Sequence, residues 1–191
     1  YENIKKEKYS ISKLKKRYQN AALPIYEIIN LSNVKLKKQT WLSEKIIDKA
    51  NYHLKKKDQI LFFLNRRGFS PYVICNKCFK NFTCPNCSIN LVYHKNKNFL
   101  LCHYCGFKSP LERNCSNKGK CDFFFSGPGV ERISEEVKKN FPTKKIEIFS
   151  SDTINKKDSL DKLKKISNNE VQIIVGTQLI SKGFHFPNLN C

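Results

Sequence analysis

Eight of the nine cysteines lie between positions 75 and 121, as the pairs Cys75/Cys78, Cys84/Cys87, Cys102/Cys105 and Cys115/Cys121. Three pairs enclose two residues, the gap that lets both thiolates of a tight turn reach one tetrahedral zinc at about 2.3 Å. Four pairs therefore predict two zinc sites. Between Cys87 and Cys102 lie 102 − 87 − 1 = 14 residues, with Asn90-Leu91-Val92-Tyr93 and Phe99-Leu100-Leu101 as hairpin strands. Cys84, Cys87, Cys102 and Cys105 thus form a zinc ribbon, and Cys75, Cys78, Cys115 and Cys121 close round a second zinc. This nested pairing is preferred because Cys78 and Cys84 are too near for adjacent turns to pair and still form a hairpin. Cys115 and Cys121 enclose five residues, so that turn must loop outward, and His103 or His94 could substitute as a ligand. Closed tetrathiolate sites offer no open position for catalysis, and each supplies folding energy on the order of 10 kcal/mol. Disulfides are the competing reading, but Tyr1-Glu2-Asn3-Ile4-Lys5-Lys6 lacks the apolar core of a signal peptide. Cys191, apart from the rest, reads as a small buried hydrophobe.

A second group of candidates sits where strands end. Asn65-Arg66-Arg67-Gly68 follows the apolar run Ile60-Leu61-Phe62-Phe63-Leu64, Ser151-Asp152 follows Ile146-Glu147-Ile148-Phe149, and Gly176-Thr177-Gln178 follows Val171-Gln172-Ile173-Ile174-Val175. Glycine-flanked loops with a hydroxyl at Thr177 and a cation at Lys182 suit a phosphate oxygen.

The elements that hold these groups read as α/β. Residues 1 to about 40 look like a basic connector ending in a strand at Ile25-Tyr26-Glu27-Ile28-Ile29, after Ala21-Ala22. Ser43 caps a helix with Ile46, Ile47, Ala50 and Leu54 on one face, which the Lys55-Lys56-Lys57 run ends. The unalternated run 60–64 predicts a strand covered on both faces. Phe123-Phe124-Phe125 leads through Gly127-Pro128-Gly129 to a helix marked by Val130, Ile133, Val137 and Phe141 and closed by Pro142, and Leu160, Leu163 and Ile166 mark another. Strands alternating with helices imply βαβ units and a parallel sheet, interrupted by the cysteine insertion. The divisions are 1–58 as connector and first helix, 59–73 with 122–191 as the sheet lobe, and 74–121 as the zinc insertion.

Composition bounds the function. In the 191 residues, 36 basic against 16 acidic side chains give 36 − 16 = +20, a potential that attracts polyanions. Only Arg17, Arg66, Arg67, Arg113 and Arg132 are arginines, so much of the charge reflects codon bias. With 40% hydrophobic residues the chain is not a disordered tail. No apolar run approaches the roughly 20 residues of a membrane span, so no membrane role is expected. Without any Met, the chain reads as an internal fragment.

The order Phe62 to Pro71, four cysteine pairs, Gly127 to Glu131, then Gly176-Thr177-Gln178-Leu179-Ile180-Ser181-Lys182-Gly183-Phe184-His185-Phe186-Pro187 resembles the bacterial primosome-assembly helicases of superfamily two. The resemblance implies a partial RecA-like second helicase lobe and ATP-driven 3′ to 5′ unwinding at stalled forks for replication restart. It implies ATP and Mg2+ in the intact protein, single-stranded and forked DNA and the replicative helicase loading machinery as partners, and a cytoplasmic, nucleoid-associated location. Asn65, Arg66 and Arg67 match helicase motif IV, a DNA contact. Gly176, Thr177, Gln178, Lys182 and Gly183 match motif V, which couples DNA to ATP. Two departures stand out: the long Cys115–Cys121 gap, and Val130 where the family's Gly-x-Gly-Thr-Glu turn carries Thr. No Gly-x-x-x-x-Gly-Lys-[Ser/Thr] occurs, so this chain alone is expected neither to hydrolyse ATP nor to unwind DNA. The alternative is a stand-alone zinc-ribbon nucleic-acid-binding or scaffold protein, with Phe79, Phe82, Tyr93 and Phe107 as stacking groups rather than ribbon core.

Overall fold

The structure, a computed structural model, describes residues 2–13, 23–34, 36, 40–111, 114–115, 119–150, 156–181 and 183–191. The chain divides into two compact units, Tyr1–Asn30 and Leu31–Cys191. The first holds one helical turn, α1 (Glu2–Lys5), with a 2.7 Å ion pair from the Lys6 ammonium to Glu2. The expected strand at Ile25–Ile29 does not form, and Ile25 and Ile28 are 99% and 92% exposed. An apolar run becomes a strand only where a neighbouring edge accepts its backbone bonds, and Ala21 and Ala22 ahead of it lie outside the described residues.

The second unit contains, in chain order, α2 (Glu44–Lys55), β1 (Ile60–Phe63), β2 (Tyr72–Cys75), β3 (Val92–His94), β4 (Phe99–Leu101), β5 (Lys108–Pro110), β6 (Phe123–Ser126), α3 (Val130–Asn140), β7 (Ile146–Phe149), α4 (Lys156–Ser167) and β8 (Ile173–Gly176). β1, β8 and β7 form a parallel sheet in that order, with Val175 opposite both Phe62 and Ile148. The central β8 is buried along its whole length. Ile173 and Val175 pack with Ala50 and Leu54 of α2 and Ile133 and Val137 of α3, whereas Ile174 packs with Ile166 of α4, Phe149, Val171 and Ile180. Side chains of one strand thus feed two cores on opposite faces, which explains its unbroken apolar sequence.

β1 is covered on both faces as expected, Ile60 and Phe62 packing with the core under α2 and α3 and Leu61 with the core under α4. It is an outer strand, and Phe63 at its end is 47% exposed. Residues 188–191 run along its other side: Gln59 N–H donates to the Asn188 carbonyl at 2.7 Å, Asn190 N–H to the Gln59 carbonyl at 3.2 Å and Leu61 N–H to the Cys191 carbonyl at 2.7 Å. Cys191 therefore contributes backbone to the ladder, and its residue is exposed rather than buried. The Gln59 side chain, itself buried, donates 2.8 Å bonds to the Ile166 and Val171 carbonyls, tying the start of β1 to the end of α4.

Ser43 caps α2 by accepting from Ile46 N–H at 3.4 Å, and Ala50 and Leu54 bury the expected face. On α3, Val130, Ile133 and Val137 are buried with Phe141 just beyond. The face expected on α4 is narrower: Ile166 is fully buried and Leu163 packs beside it, but Leu160 is 63% exposed because only the later turns reach the sheet.

The phenylalanine run 123–125, expected to begin the βαβ series, lies outside the parallel sheet. As β6 it pairs antiparallel with β2, Cys75 opposite Phe123 and Tyr72 opposite Ser126. A chain that leaves for the cysteine segment and returns beside its exit closes by antiparallel pairing. Beyond this stem, β3, β4 and β5 form an antiparallel sheet. Its core joins Val73, Phe82, Leu91, Tyr93 and Leu100 to Cys84 and Cys102, with Phe107 packed against it. Phe82, Tyr93 and Phe107 are thus ribbon core, while Phe79 is exposed.

Candidate functional site

Each Cys-x-x-Cys turn is built the same way. The N–H of Cys75 bonds the Lys80 carbonyl, that of Cys84 the Ile89 carbonyl and that of Cys102 the Phe107 carbonyl, at 2.7–3.1 Å. The first cysteine's carbonyl in turn accepts from Phe79, Ser88 or Gly106 N–H at 2.8–2.9 Å. This double closure forces the residue after the second cysteine into the left-handed region, with φ of 56° at Phe79, 56° at Ser88 and 79° at Gly106. Only Gly106 adopts it freely; a side chain there costs about 1–2 kcal/mol.

The turns bring eight sulfurs into two groups: Cys75, Cys78, Cys115 and Cys121, and Cys84, Cys87, Cys102 and Cys105. Within each, all sulfurs lie within 4.8 Å of one another; Cys75 and Cys115 are 3.8 Å apart and Cys84 and Cys105 3.5 Å. Four thiolates around zinc at about 2.3 Å would stand about 3.8 Å apart, so the donor set fits such an ion. The long pair closes through a bridge between Asn114 and Lys120 and a 3.0 Å bond from Cys115 N–H to the Gly119 carbonyl; residues 116–118 between them lie outside the described residues.

Without a cation, four neighbouring thiols cannot all ionise. Burial pushes the Cys75 thiol up, but backbone N–H groups of Cys78, Lys77 and Asp122 outweigh it and bring it to about 6. The Phe107 N–H does the same for Cys105, also to about 6. Cys87 is pushed up to about 12 by its bond to Cys105 and by burial, and Cys121 to about 12 by burial and its bond to Cys75. A divalent cation reverses that repulsion and displaces the remaining protons. Either group could hold one metal ion.

His94 and His103 belong to neither group. His94, 1% exposed, faces the Glu131 carboxylate through Nδ1 at 3.0 Å and His103 Nε2 through Nε2 at 3.0 Å. Glu131 is itself buried near the start of α3 and also accepts from Lys95 N–H at 3.1 Å. His103 lies between Cys102 and Cys105, so this chain of side chains links the inner cysteine turn to α3. No spacing rule in the sequence pointed to it, because its members are far apart in the chain.

The loop that ends β1 meets the same junction. Arg66, Arg67 and Asn65 are exposed, as a loop offering its side chains outward requires. Their backbone is fixed: the Arg66 carbonyl accepts from Val130 N–H, that of Gly68 from Glu131 N–H and that of Phe69 from Gly129 N–H, all at 3.0 Å. A Cβ on Gly129 would meet the Gly68 oxygen at 2.1 Å, so glycine permits this approach. At the end of β8, Gly176 and Thr177 are buried, and Thr177 N–H donates to the Phe149 carbonyl at 3.2 Å. Gln178 and Gly183 are exposed, as is His185. Lys182, Ser151 and Asp152 lie outside the described residues. No helix among the described residues is long and apolar enough to cross a membrane.

Residues 84–110, which span the inner cysteine group, match the family described as the PriA DNA helicase Cys-rich region (CRR) domain. The replication restart protein PriA of Rickettsia prowazekii is 41% identical over 98% of the chain, and those of Haemophilus influenzae and Bacillus subtilis are 35% and 30% identical over 98% and 99%. The chain is homologous to a segment of PriA. It spans 29% of the Rickettsia PriA, 26% of the Haemophilus PriA and 24% of the Bacillus PriA. The similarity to PriA covers the parallel sheet as well as the cysteine turns, so a free-standing zinc-ribbon protein is not favoured.

Proposed function

We propose that the chain forms part of an ATP-dependent 3′ to 5′ DNA helicase that recognises stalled forks and starts primosome assembly in the bacterial cytoplasm, at the nucleoid. Residues 59–73 and 122–191 supply part of a RecA-like second motor lobe, 74–121 a two-zinc module, and 1–58 a connector and the first helix of the lobe. Cys75, Cys78, Cys115 and Cys121 hold one zinc and Cys84, Cys87, Cys102 and Cys105 the other, each as a closed structural site. Asn65, Arg66 and Arg67 contact DNA; Gly176, Thr177, Gln178, Lys182 and Gly183 couple that contact to ATP, which with Mg2+ requires residues this chain lacks. Other primosome proteins, including the replicative helicase loading machinery, are the partners.

The observation that carries the reading is the junction itself: the outward Arg66–Arg67 loop is fastened by backbone bonds to the helix that the metal module also grips through Glu131. DNA, metal module and motor lobe would then move as one body. In the full-length protein, Thr177→Ala and Lys182→Ala should each lower DNA-stimulated ATPase about tenfold or more, and Lys182→Ala should shrink the salt slope of DNA binding by about one. Unchanged stimulation in both would contradict the assignment.

A further inference from the structure

We propose that Phe79 is a stacking platform for an unpaired nucleobase, so that the outer cysteine turn reads single-stranded nucleic acid directly. The proposal deepens the DNA-binding reading above and rests on it. The same turn occurs three times within the chain. At the left-handed position the copies carry Gly106, Ser88 and Phe79, with φ of 79°, 56° and 56°. Glycine is the unstrained solution, and a bulky aromatic is the most strained of the three. A strained side chain is ordinarily repaid by packing, but Phe79 is 78% exposed. Phe82, three positions on, is buried in the ribbon core, so the core does not call for a second ring here. The turn imposes the left-handed φ on whatever residue follows the second cysteine, so the feature left without an internal role is the exposed ring that stands where glycine would fit.

The surroundings favour a polyanion with flat apolar faces. Lys77 and Lys80 flank the ring in sequence, and both are exposed. The Lys77 ammonium reaches across to the Lys120 carbonyl at 3.0 Å, which brings a third exposed lysine into the turn. Asp122 is the nearby acid, held by the Asn76 amide at 3.1 Å. The Lys80 ammonium lies over the Phe82 ring at 5.3 Å, so the turn carries exposed lysines beside an exposed ring, the pairing of base and phosphate contacts by which single strands are held without sequence preference. A backbone closed at Cys75 by two hydrogen bonds, and by a metal when loaded, presents the ring without an ordering cost at binding.

The test uses the zinc-loaded chain and a fluorescent oligothymidylate, compared with an abasic strand of equal length. Phe79→Gly should bind oligothymidylate about tenfold more weakly, with abasic binding and salt slope unchanged because no charge is removed. It should also unfold at higher temperature with the same zinc content, and Phe79→Trp should restore the discrimination. Equal affinity of Phe79→Gly and wild type for oligothymidylate would overturn the proposal and direct the ring toward a protein partner. An equal loss on both strands would overturn it too, since charge rather than stacking would then be affected. If the wild-type chain bound neither strand, the DNA-binding reading would fall with it.

Discussion

At the scale of single residues, the cysteines divide by what surrounds each sulfur. Backbone N–H groups aimed at Cys75 and Cys105 bring those thiols to about 6, while burial and thiol neighbours hold Cys87 and Cys121 near 12. Above about pH 6 each group already contains one thiolate to anchor a metal, and loading expels protons from Cys87 and Cys121; below it the anchors are protonated and the metal must compete for every sulfur. Zinc affinity measured against a chelator should therefore fall as pH falls, and more steeply below about 6 where the two anchoring thiols must also give up protons, and loading at about pH 7 should release protons measurable in weak buffer. Retention that is flat from about pH 8 to about pH 5 would contradict this. Cysteine spacing made the two groups legible in the sequence, since a two-residue gap leaves a turn few shapes. The left-handed strain at Phe79 and Ser88 was not legible, because it appears only once the turn's two hydrogen bonds are drawn.

At the scale of elements, helical periodicity located α2 and α3, and short apolar runs located β7 and β8. These patterns failed where pairing decides the outcome. Phe123–Phe125 is as apolar as a parallel strand, yet its partner is β2 at the mouth of the insertion, and nothing local encodes that choice. Ile25–Ile29 has strand-like residues and no ladder. The join between elements is most exposed at Gly129, where a methyl group would press on the backbone of Gly68 and Phe69 at 2.1–2.9 Å. Backbone cannot yield as a side-chain tip can, so Gly129→Ala should destabilise the chain by about 1–3 kcal/mol. Hydrogen exchange should show the loss first at Val130 and Glu131, whose N–H groups bond the Arg66–Gly68 loop. A variant with unchanged melting temperature and exchange would mean the loop is not fastened there.

At the scale of the whole second unit, the sheet and the metal module share one junction. β2 and β6 form the stem, the Arg66–Gly68 backbone caps α3, and Glu131 reaches back through His94 to the inner cysteine turn. The α/β class and the inserted position of the module could be read from the order of runs and cysteines. The coupling through Glu131 could not, since its partners stand at 94 and 95 and it reaches His103 only through His94. The metal module rests on two separate four-cysteine groups, each complete on its own. Metal analysis of the purified chain and its Cys102→Ser variant tests this most directly. Wild type should carry about two zinc ions, and the variant about one, because the outer group keeps all four sulfurs. One zinc in the wild type, or none in a variant that remains folded, would contradict the nested assignment.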